Sequence, residues 1–184
     1  MKKYLALSVV VISLFFILNS FYILTQIEQS VELRFGKAVD QEIEPGLKFK
    51  VPFVDDVVFF DKRILHINAA SKEVIASDRK RLIVDAFAKY KITDSLLFFQ
   101  SVRSEKSAEI KLSSVIESSL RQVLGNAPLS ALLQEDTRAS IMSDIRDIVN
   151  DKAASFGIEV LDVRIMRTDL PKENSAAIYR RMQT

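Results

Sequence analysis

A hydrophobic run near the N-terminus constrains this chain more than any other feature of its sequence. Residues Tyr4 to Leu24 contain no charged side chain, and Asn19 is the only strongly polar one. A helix of about 20 such residues spans the hydrocarbon core of a bilayer. The run therefore predicts one transmembrane helix over residues 4–24, which anchors the rest of the chain.

A cleaved secretory signal is the main alternative, because such signals also begin with basic residues, here Lys2 and Lys3. A signal would be shorter and would end in a small-x-small cleavage motif. Residues 21–26 instead read Phe-Tyr-Ile-Leu-Thr-Gln. An uncleaved anchor is therefore favoured.

The orientation of the anchor follows from the lysines and arginines near its ends. Lys2 and Lys3 lie in a three-residue tail, whereas the twenty residues 25–44 contain only Arg34 and Lys37. Basic residues near membrane helices favour the cytoplasmic side. We therefore expect residues 1–3 to form a cytoplasmic tail and the main domain to lie across the membrane.

Composition excludes several classes of function. The chain has 26 basic and 24 acidic residues, and with Lys2 and Lys3 set aside the two charges balance, so nucleic-acid binding is not expected. There is no cysteine, which excludes disulfide and thiolate chemistry. With His66 as the only histidine, an ordinary zinc site lacks ligands.

Hydrophobic periodicity divides the remaining chain into a β-rich half and a mainly helical half. Residues 30–76 are rich in valine, isoleucine and phenylalanine and are broken by prolines, which is typical of short strands. Residues 81–92 alternate at period two, which predicts a long strand. The polar residues 77–80 predict the hairpin turn before it.

Helical spacing begins after Asp94. It predicts one helix over residues 110–124 and another over 141–156, with Gly157 as a left-handed cap. Residues 158–167 alternate again as a strand, and Pro171 begins a last helical stretch, 172–184. No cap follows that stretch, so we expect it to be the start of a longer helix.

The residues that usually carry catalysis or metal binding are scarce. His66 lies in an alternating stretch, so a strand histidine is favoured over a catalytic one. The pair Asp55 and Asp56 lacks the oxygen spacing and central glycine of a calcium loop, which favours a solvated turn.

Ser77 and Lys80 form the one literal match to a catalytic motif, the Ser-x-x-Lys of some serine hydrolases. No accompanying serine or lysine motif follows, and a hairpin turn explains the same residues. The four glycines form no phosphate-binding loop. No catalytic, cofactor-binding or metal-binding residue is therefore assigned, and the chain is not expected to be an enzyme.

Two clusters are candidates for contacts with lipid. The basic residues 79–81 could contact anionic lipid, although a solvated hairpin tip also explains their charge. The second cluster consists of Phe49, Phe53, Phe59 and Phe60. These rings either dip into the lipid interface or pack in the core of the β-rich half, and the sequence does not separate the two interpretations.

Two blocks of residues resemble the SPFH or band 7 superfamily, which includes stomatin, prohibitin, flotillin, HflK and HflC. The first block is similar to the family's RFGK, PGLHFKIPF and D-x-R signatures and comprises Val31–Lys37, Glu44–Phe53 and Asp61–Arg63. The second resembles the GIEVVDVRI, LP and AIYxRM run of the HflC branch and comprises Gly157–Ile165, Asp169–Pro171 and Ala177–Met182.

The resemblance implies an α+β fold in which the transmembrane helix is followed by a band 7 domain. That domain has a β-rich half, then helices and one further strand, and leads into the start of a C-terminal helix. The expected boundaries are a tail at 1–3, an anchor at 4–24, the band 7 domain at 25–170 and the helix start at 171–184. The Ala- and Glu-rich helix of the family is expected to be missing after that point.

The resemblance also implies a function. Proteins of the HflC branch assemble with an HflK-like paralogue into a membrane-attached ring or cage around the membrane protease FtsH and regulate it without cutting substrates. This would place the chain in a bacterial inner membrane, with membrane lipid, the paralogue and an FtsH-type protease as partners. Two alternatives remain: a stomatin-like organiser of lipid microdomains, and a membrane peptidase using Ser77 and Lys80.

Overall fold

The computed structural model describes Tyr4 and residues 19–169. The strands there are β1 (Phe21–Leu24), β2 (Glu28–Arg34), β3 (Lys37–Glu42), β4 (Gly46–Phe49), β5 (Asp55–Asp61), β6 (Leu65–Ile75), β7 (Arg81–Ile92) and β8 (Ile158–Asp169). The helices are α1 (Ser95–Ser101), α2 (Glu105–Asn126), α3 (Leu129–Leu133) and α4 (Glu135–Ala154).

The first half of the domain contains two small antiparallel sheets. One pairs β1 with β4, and the other has the order β3-β2-β5. Period-two alternation places Val31 and Leu33 of β2 in the core, together with Phe60 of β5. The first half therefore joins the common core through β2 and β5.

The second half is an antiparallel sheet of order β6-β7-β8 with helices packed against it. Alternate residues of β7 face those helices and are fully buried: Leu82, Val84, Ala86, Ala88, Tyr90 and Ile92. Because β7 is bonded on both sides and buried on one face, it forms the centre of the core.

Helix α2 has clear signals at both ends. The Ser104 hydroxyl accepts a hydrogen bond from the backbone of Ser107 at 3.3 Å, which caps its first turn. Its buried stripe includes Leu112, Ile116 and Leu120, at the four-residue spacing of one helix face. The helix ends at Asn126, two residues before Pro128.

Gly157 makes the tight corner between α4 and β8. Its φ of +72° is left-handed, as predicted, and an added Cβ would overlap the Asp94 carbonyl oxygen and lie 3.0 Å from the Phe98 nitrogen. The Gly157 carbonyl accepts from the backbone of Thr93 at 3.0 Å. A residue without a side chain is needed here because the corner packs against the start of α1.

The structure confirms the α+β arrangement and the main elements of the periodicity analysis. The strand at 81–92, the hairpin turn before it and the strand from residue 158 lie where predicted. Both predicted helices exist, although α2 begins at Glu105 and α4 at Glu135, each earlier than expected. The predicted helix over 171–184 lies outside the described residues.

The predicted anchor is corrected at its C-terminal end. Residues 21–24 are the strand β1 rather than the last turn of a helix, because they pair with β4 in register from Phe21↔Phe49 to Leu24↔Gly46. Residues 5–18 lie outside the described part of the chain. Among the helices that the structure describes, none combines the length and hydropathy required to cross a bilayer.

Candidate functional site

The sheet of β1 and β4 has one face that contacts the domain and one that does not. Directly opposed residues of an antiparallel pair share a face, so the pairs Phe21↔Phe49 and Ile23↔Leu47 point the same way. These four residues are between 47% and 72% exposed, and we refer to them as the apolar face. The Phe21 and Phe49 rings meet edge to face with centroids 5.8 Å apart.

The opposite face of this sheet is held against the domain. Leu24 is fully buried there. The Tyr22 hydroxyl donates to Glu32 Oε1 at 3.2 Å, and its ring packs edge to face on Phe59 at 6.0 Å. These contacts fix the sheet, so the apolar face is directed outward. Clusters of exposed apolar side chains commonly mark sites that contact a membrane or another protein.

Two further exposed aromatic rings belong to loops of the same half of the domain as the apolar face. Phe35 is 81% exposed at the β2–β3 hairpin, and Phe53 is 80% exposed in the loop from β4 to β5. The Phe35 amide donates to the Val54 carbonyl at 3.2 Å, so the two loops are in contact. We refer to Phe35 and Phe53 as the aromatic tip.

Both residues of the aromatic tip have left-handed backbones, with φ of 50° for Phe35 and 67° for Phe53. A bulky residue in this region costs about 1–3 kcal/mol and is found where surrounding structure holds it. Phe35 and Gly36 occupy the centre of a two-residue hairpin, where asparagine and glycine are usual. The conformation of this turn therefore does not explain why residue 35 is a phenylalanine. A contact made by the ring of Phe35 would explain it.

A salt bridge holds the aromatic tip in place. Arg34 Nε contacts Asp55 Oδ1 at 2.9 Å, and the Val51 amide donates to Asp55 Oδ2 at 3.1 Å. The Asp55 side chain is only 4% exposed. The hydrogen bond from Arg34 holds the pKa of the Asp55 carboxyl below its usual value. The pair ties the end of β2 to the loop that carries Phe53.

The sequence neighbours of the site suit a polar–apolar boundary. Lys37 follows the β2–β3 hairpin, and Lys50 follows β4 and donates its backbone amide to the Ser20 carbonyl at 2.7 Å. Lipid interfaces favour aromatic rings beside basic groups, since the rings enter the acyl boundary while the ammonium groups stay with headgroups.

The structure divides the phenylalanine cluster whose role the sequence left open. Phe60 is buried and packs edge to face on Phe98 with centroids 5.1 Å apart. Phe59 is partly covered by Tyr22. Phe49 and Phe53 are exposed. The core interpretation is therefore confirmed for Phe60, while the lipid contact stays a prediction for the exposed Phe49 and Phe53.

Four members of the site were missed by the sequence analysis: Phe21, Ile23, Phe35 and Leu47. The first two were included in the predicted helix, because hydropathy alone does not separate a helix from a strand that continues an apolar run. The alternation of Leu47, Lys48 and Phe49 was the available signal for the strand β4.

His66 lies where a strand histidine was predicted. It is exposed on β6, opposite Lys89 of β7. It lines a shallow groove with Glu109 and Ser113 of α2.

Ser77 and Lys80 lie in the β6–β7 turn, as predicted. The Ala76 amide donates to the Lys80 carbonyl at 2.9 Å, which closes the hairpin. Lys80 Nζ lies 3.1 Å from Asp78 Oδ2. These are the contacts of a hairpin turn, and the ammonium group that would serve as the base of a serine nucleophile is engaged by Asp78. Arg79 adopts φ of 62° at the tip of this turn.

The prediction that Asp55 and Asp56 form a solvated turn is wrong, since neither residue lies in a turn and only Asp56 is solvated. Both residues begin β5, and Asp55 is buried while Asp56 is exposed. The reason is long-range: Asp55 lies opposite Arg34 in the β2–β5 register, which supplies its counter-ion. Within residues 19–169, no three histidine, aspartate or glutamate side chains cluster in a way that suits a metal ion.

Comparison with known proteins identifies the family. Residues 23–184 match the SPFH domain / Band 7 family, which is most of the chain. The chain belongs to this family. The resemblance read from the two sequence blocks is thereby confirmed.

Several band 7 relatives are similar over nearly the whole chain. It is 30% identical over 194 residues to Protein HflC of Haemophilus influenzae, covering all of this chain and 65% of the relative. It is 26% identical over 224 residues to Modulator of FtsH protease HflC of Escherichia coli K12, covering 96% and 67%. The chain therefore spans about two thirds of the length of these relatives.

The two band 7 sequence blocks have different positions in the structure. The first block supplies Arg34, Phe35 and Phe53, so it contains the aromatic tip and one partner of the salt bridge that holds it, whereas Asp55 lies outside the block. The second block begins at Gly157 and continues into β8, where Ile158, Val160, Val163 and Ile165 are buried. The first block therefore combines exposed tips with buried residues such as Val31, whereas the described part of the second block is mainly a strand with one buried face.

Proposed function

We propose that this band 7 chain is a non-enzymatic membrane scaffold that regulates an FtsH-type membrane protease. In this proposal the N-terminal segment anchors the chain, and the apolar face and aromatic tip rest in the lipid interface beside it. Like subunits, including an HflK-like paralogue, assemble into a ring or cage around the protease. The similarity to relatives named HflC, one named a modulator of FtsH protease, supports this role.

The observation that carries the proposal is the position of the apolar face. Its strand β1 begins at Phe21, immediately after the hydrophobic segment that is expected to enter the bilayer. The exposed rings are therefore tethered within a few residues of the membrane surface. Burying apolar surface yields about 25 cal/mol per Å², so lipid is a favourable cover for Phe21, Ile23, Leu47 and Phe49.

The proposed topology has residues 1–3 in the cytoplasm and the band 7 domain in the periplasm of a bacterial inner membrane. Lys2 and Lys3 support this orientation through their preference for the cytoplasmic side. The anchor is proposed to end before Phe21, because residues 21–24 pair with β4. This leaves about 17 residues from Tyr4 to Ser20, near the shortest span that crosses a bilayer.

The lipid contact is testable with single tryptophans, because the chain has none of its own. Phe49→Trp and Phe53→Trp variants of the full chain would be reconstituted in liposomes that contain brominated lipids. We expect strong quenching of both tryptophans, since bromine quenches only indole rings that reach the acyl region.

An Ile75→Trp variant is the matched control, because Ile75 is also an exposed apolar residue but belongs to the second half of the domain. We expect its fluorescence to be unchanged by brominated lipid. Equal quenching at all three positions, or none at Phe49 and Phe53, would contradict the lipid-facing assignment.

The regulatory part of the proposal is tested by co-purification of this chain with the protease. The full-length gene product, purified in mild detergent from its own organism, should bring down the HflK-like paralogue and an FtsH-type protease. Recovery of a monomer alone would count against the assembly. A Phe49→Ser variant that keeps the anchor should retain membrane insertion but recover less protease, because its domain is no longer held against the bilayer.

A stomatin-like organiser of lipid microdomains is the second candidate, and the same apolar face favours it. The two candidate functions place the band 7 domain on different sides of the membrane. A topology reporter fused after Thr184 should report the periplasm for the protease regulator, whereas a cytoplasmic signal would favour the lipid organiser.

A further inference from the structure

The lysines and arginines of the first half divide into two groups. Residues 19–63 contain six of them. Four have an oxygen partner within the domain: Arg34 (Asp55 Oδ1, 2.9 Å), Lys48 (Glu42 Oε2, 2.6 Å), Lys62 (Ile43 carbonyl, 3.4 Å) and Arg63 (Asp61 Oδ2, 2.7 Å). Among the described residues, the ammonium groups of Lys37 and Lys50 have no hydrogen bond or ion pair. These two cations are therefore available to a partner outside the domain.

Both unpaired lysines lie beside the aromatic tip. Lys37 follows the two-residue turn of Phe35 and Gly36 and is exposed. Lys50 precedes Phe53 by three residues and is half-buried. The two cations that the domain leaves unpaired are therefore next to the rings that are proposed to enter lipid.

The two lysines belong to one connected corner of the domain. The Val51 amide, next to Lys50, donates to Asp55 Oδ2 at 3.1 Å. Asp55 is bonded to Arg34, which lies directly opposite Lys37 in the β2–β3 register. These contacts run without a break from one lysine to the other. The backbone that carries Lys37 is therefore fixed relative to the backbone that carries Lys50.

The charges around this corner favour an anion. Arg34 and Asp55 neutralise each other. Asp56 is exposed, but period-two alternation directs it to the other face of β5 from Asp55. Glu32 and Asp40 lie opposite each other further along β2 and β3, away from the tip, and each accepts a hydrogen bond within the domain. The corner therefore carries the unbalanced positive charge of the two lysines.

We propose that Lys37 and Lys50 bind the phosphate group of an anionic phospholipid when Phe35 and Phe53 rest in the lipid interface. Ammonium groups bind phosphate oxygens through charge-assisted hydrogen bonds. Because the rings fix the depth of the corner, the lysines reach the headgroup layer. A zwitterionic headgroup carries its own cation beside the phosphate, so it gains less from the lysines. The inference rests on the proposed lipid-facing site and names the class of lipid that this site prefers.

The preference is measurable with the Phe53→Trp variant of the full chain. Liposomes would contain equal amounts of phosphatidylglycerol and phosphatidylcholine, with bromine on the acyl chains of only one of the two lipids at a time. Because bromine quenches only nearby indole rings, the two samples show which lipid lies next to residue 53. We expect stronger quenching when phosphatidylglycerol carries the bromine.

Removal of the lysines tests which groups create the preference. Lys37→Ala and Lys50→Ala, each added to the Phe53→Trp chain, should lower the relative affinity for phosphatidylglycerol about fivefold at low salt. Lys37→Arg combined with Lys50→Arg should keep the preference, because the charge is retained. Lys106→Ala is the matched control and should change nothing, since Lys106 is an exposed lysine of α2 in the second half.

Inorganic phosphate separates a lipid headgroup from a soluble ion as the ligand of the two lysines. At equal ionic strength, sodium phosphate and sodium chloride should weaken the preference for phosphatidylglycerol to the same extent, since both act by screening. A loss specific to inorganic phosphate would assign the lysines to a soluble anion and would overturn the inference.

Two further results would overturn it: equal quenching by the two brominated lipids in the Phe53→Trp chain, or a loss with Lys106→Ala as large as with Lys37→Ala. Strong and equal quenching would leave the lipid contact of the proposed function intact. Absence of quenching with either lipid would contradict that lipid contact and, with it, this inference. Failure of the lipid preference is therefore distinguishable from failure of the proposed function.

Discussion

The two halves of the domain differ in what they leave exposed. In the first half, the sheet of β1 and β4 exposes four large apolar side chains and buries Leu24 on its other face. In the second half, β7 and the inner stripes of α2 and α4 are buried, and the edges expose charged groups such as Arg164 and Glu109. The half that follows the hydrophobic segment thus has an outward apolar face, whereas the edges of the more distant half are mainly charged.

This difference indicates two kinds of contact in one chain. Lipid offers apolar surface but few fixed charges, so it suits the apolar face and the aromatic tip. A neighbouring protein can offer charges at fixed spacing, so it suits the charged edges of the second half. The two blocks of band 7 sequence differ in a related way, since the exposed aromatic tip belongs to the first block and the described part of the second block lies mainly in β8.

The largest expected effect is a difference in stability between substitutions of two phenylalanines of the first half. Phe60→Ala should lower the free energy of unfolding by about 4 kcal/mol, because Phe60 is buried against Phe98 and its loss leaves a cavity. Phe53→Ala should change it by less than about 0.5 kcal/mol, because that ring is exposed. Denaturation of the full chain in detergent, followed by circular dichroism, measures both. Similar losses would contradict the assigned division.

The next effect concerns two left-handed glycines, one in each half. Gly157→Ala should cost about 3 kcal/mol, because the new methyl group is strained by its φ and also overlaps the Asp94 carbonyl. Gly36→Ala should cost about 1 kcal/mol, since its φ of +78° is similar but no atom lies within 4 Å. Equal losses in the denaturation experiment would show that the α4–β8 corner can relax.

Asp55 provides a smaller, pH-dependent effect in the first half. Its folded pKa lies below the ordinary value of 3.8, chiefly through the Arg34 hydrogen bond. Ionised Asp55 therefore stabilises the fold above that value, and this contribution is lost as the pH falls through the lowered pKa. Asp55→Asn should reduce stability at neutral pH and have little effect in strong acid. Asp56→Asn, at the exposed neighbour, is the matched control and should change the free energy of unfolding at neutral pH by less than about 0.5 kcal/mol.

The smallest effect belongs to the surface of the second half. Lys72 Nζ lies 3.6 Å from Glu117 Oε2, and the lysine side chain is half exposed. Lys72→Ala should lower the free energy of unfolding by less than about 0.5 kcal/mol, because exposed ion pairs gain little in water. High salt should remove even this small difference in the free energy of unfolding between Lys72→Ala and the unmodified chain. A loss above 1 kcal/mol would indicate that something outside this domain also shields the Lys72–Glu117 pair from solvent.

Much of the second half was predictable because its signals are local. The alternation of residues 81–92, the helical spacing before Gly125 and the glycine at position 157 each depend on neighbours in the sequence. Such patterns record which face of an element is buried, and this face does not depend on the identity of its partner.

The first half was less predictable because its key contacts join distant residues. Asp55 becomes buried only when β5 aligns with β2 and brings in Arg34. Residues 21–24 become a strand only when β4, more than twenty residues later, pairs with them. Short strands carry weak local preferences, so pairing partners decide their structure.

By itself the sequence determined the α+β class, the β7 hairpin, the left-handed glycine at 157 and membership of the band 7 family. Hydrophobic periodicity, turn residues and the order of motifs are properties of the sequence alone, so they can be recognised without knowledge of long-range contacts. Only the tertiary structure decided which phenylalanines are exposed and that β1 continues the hydrophobic run as a strand. Exposure depends on what packs against each face, and packing exists only after distant strands and helices meet.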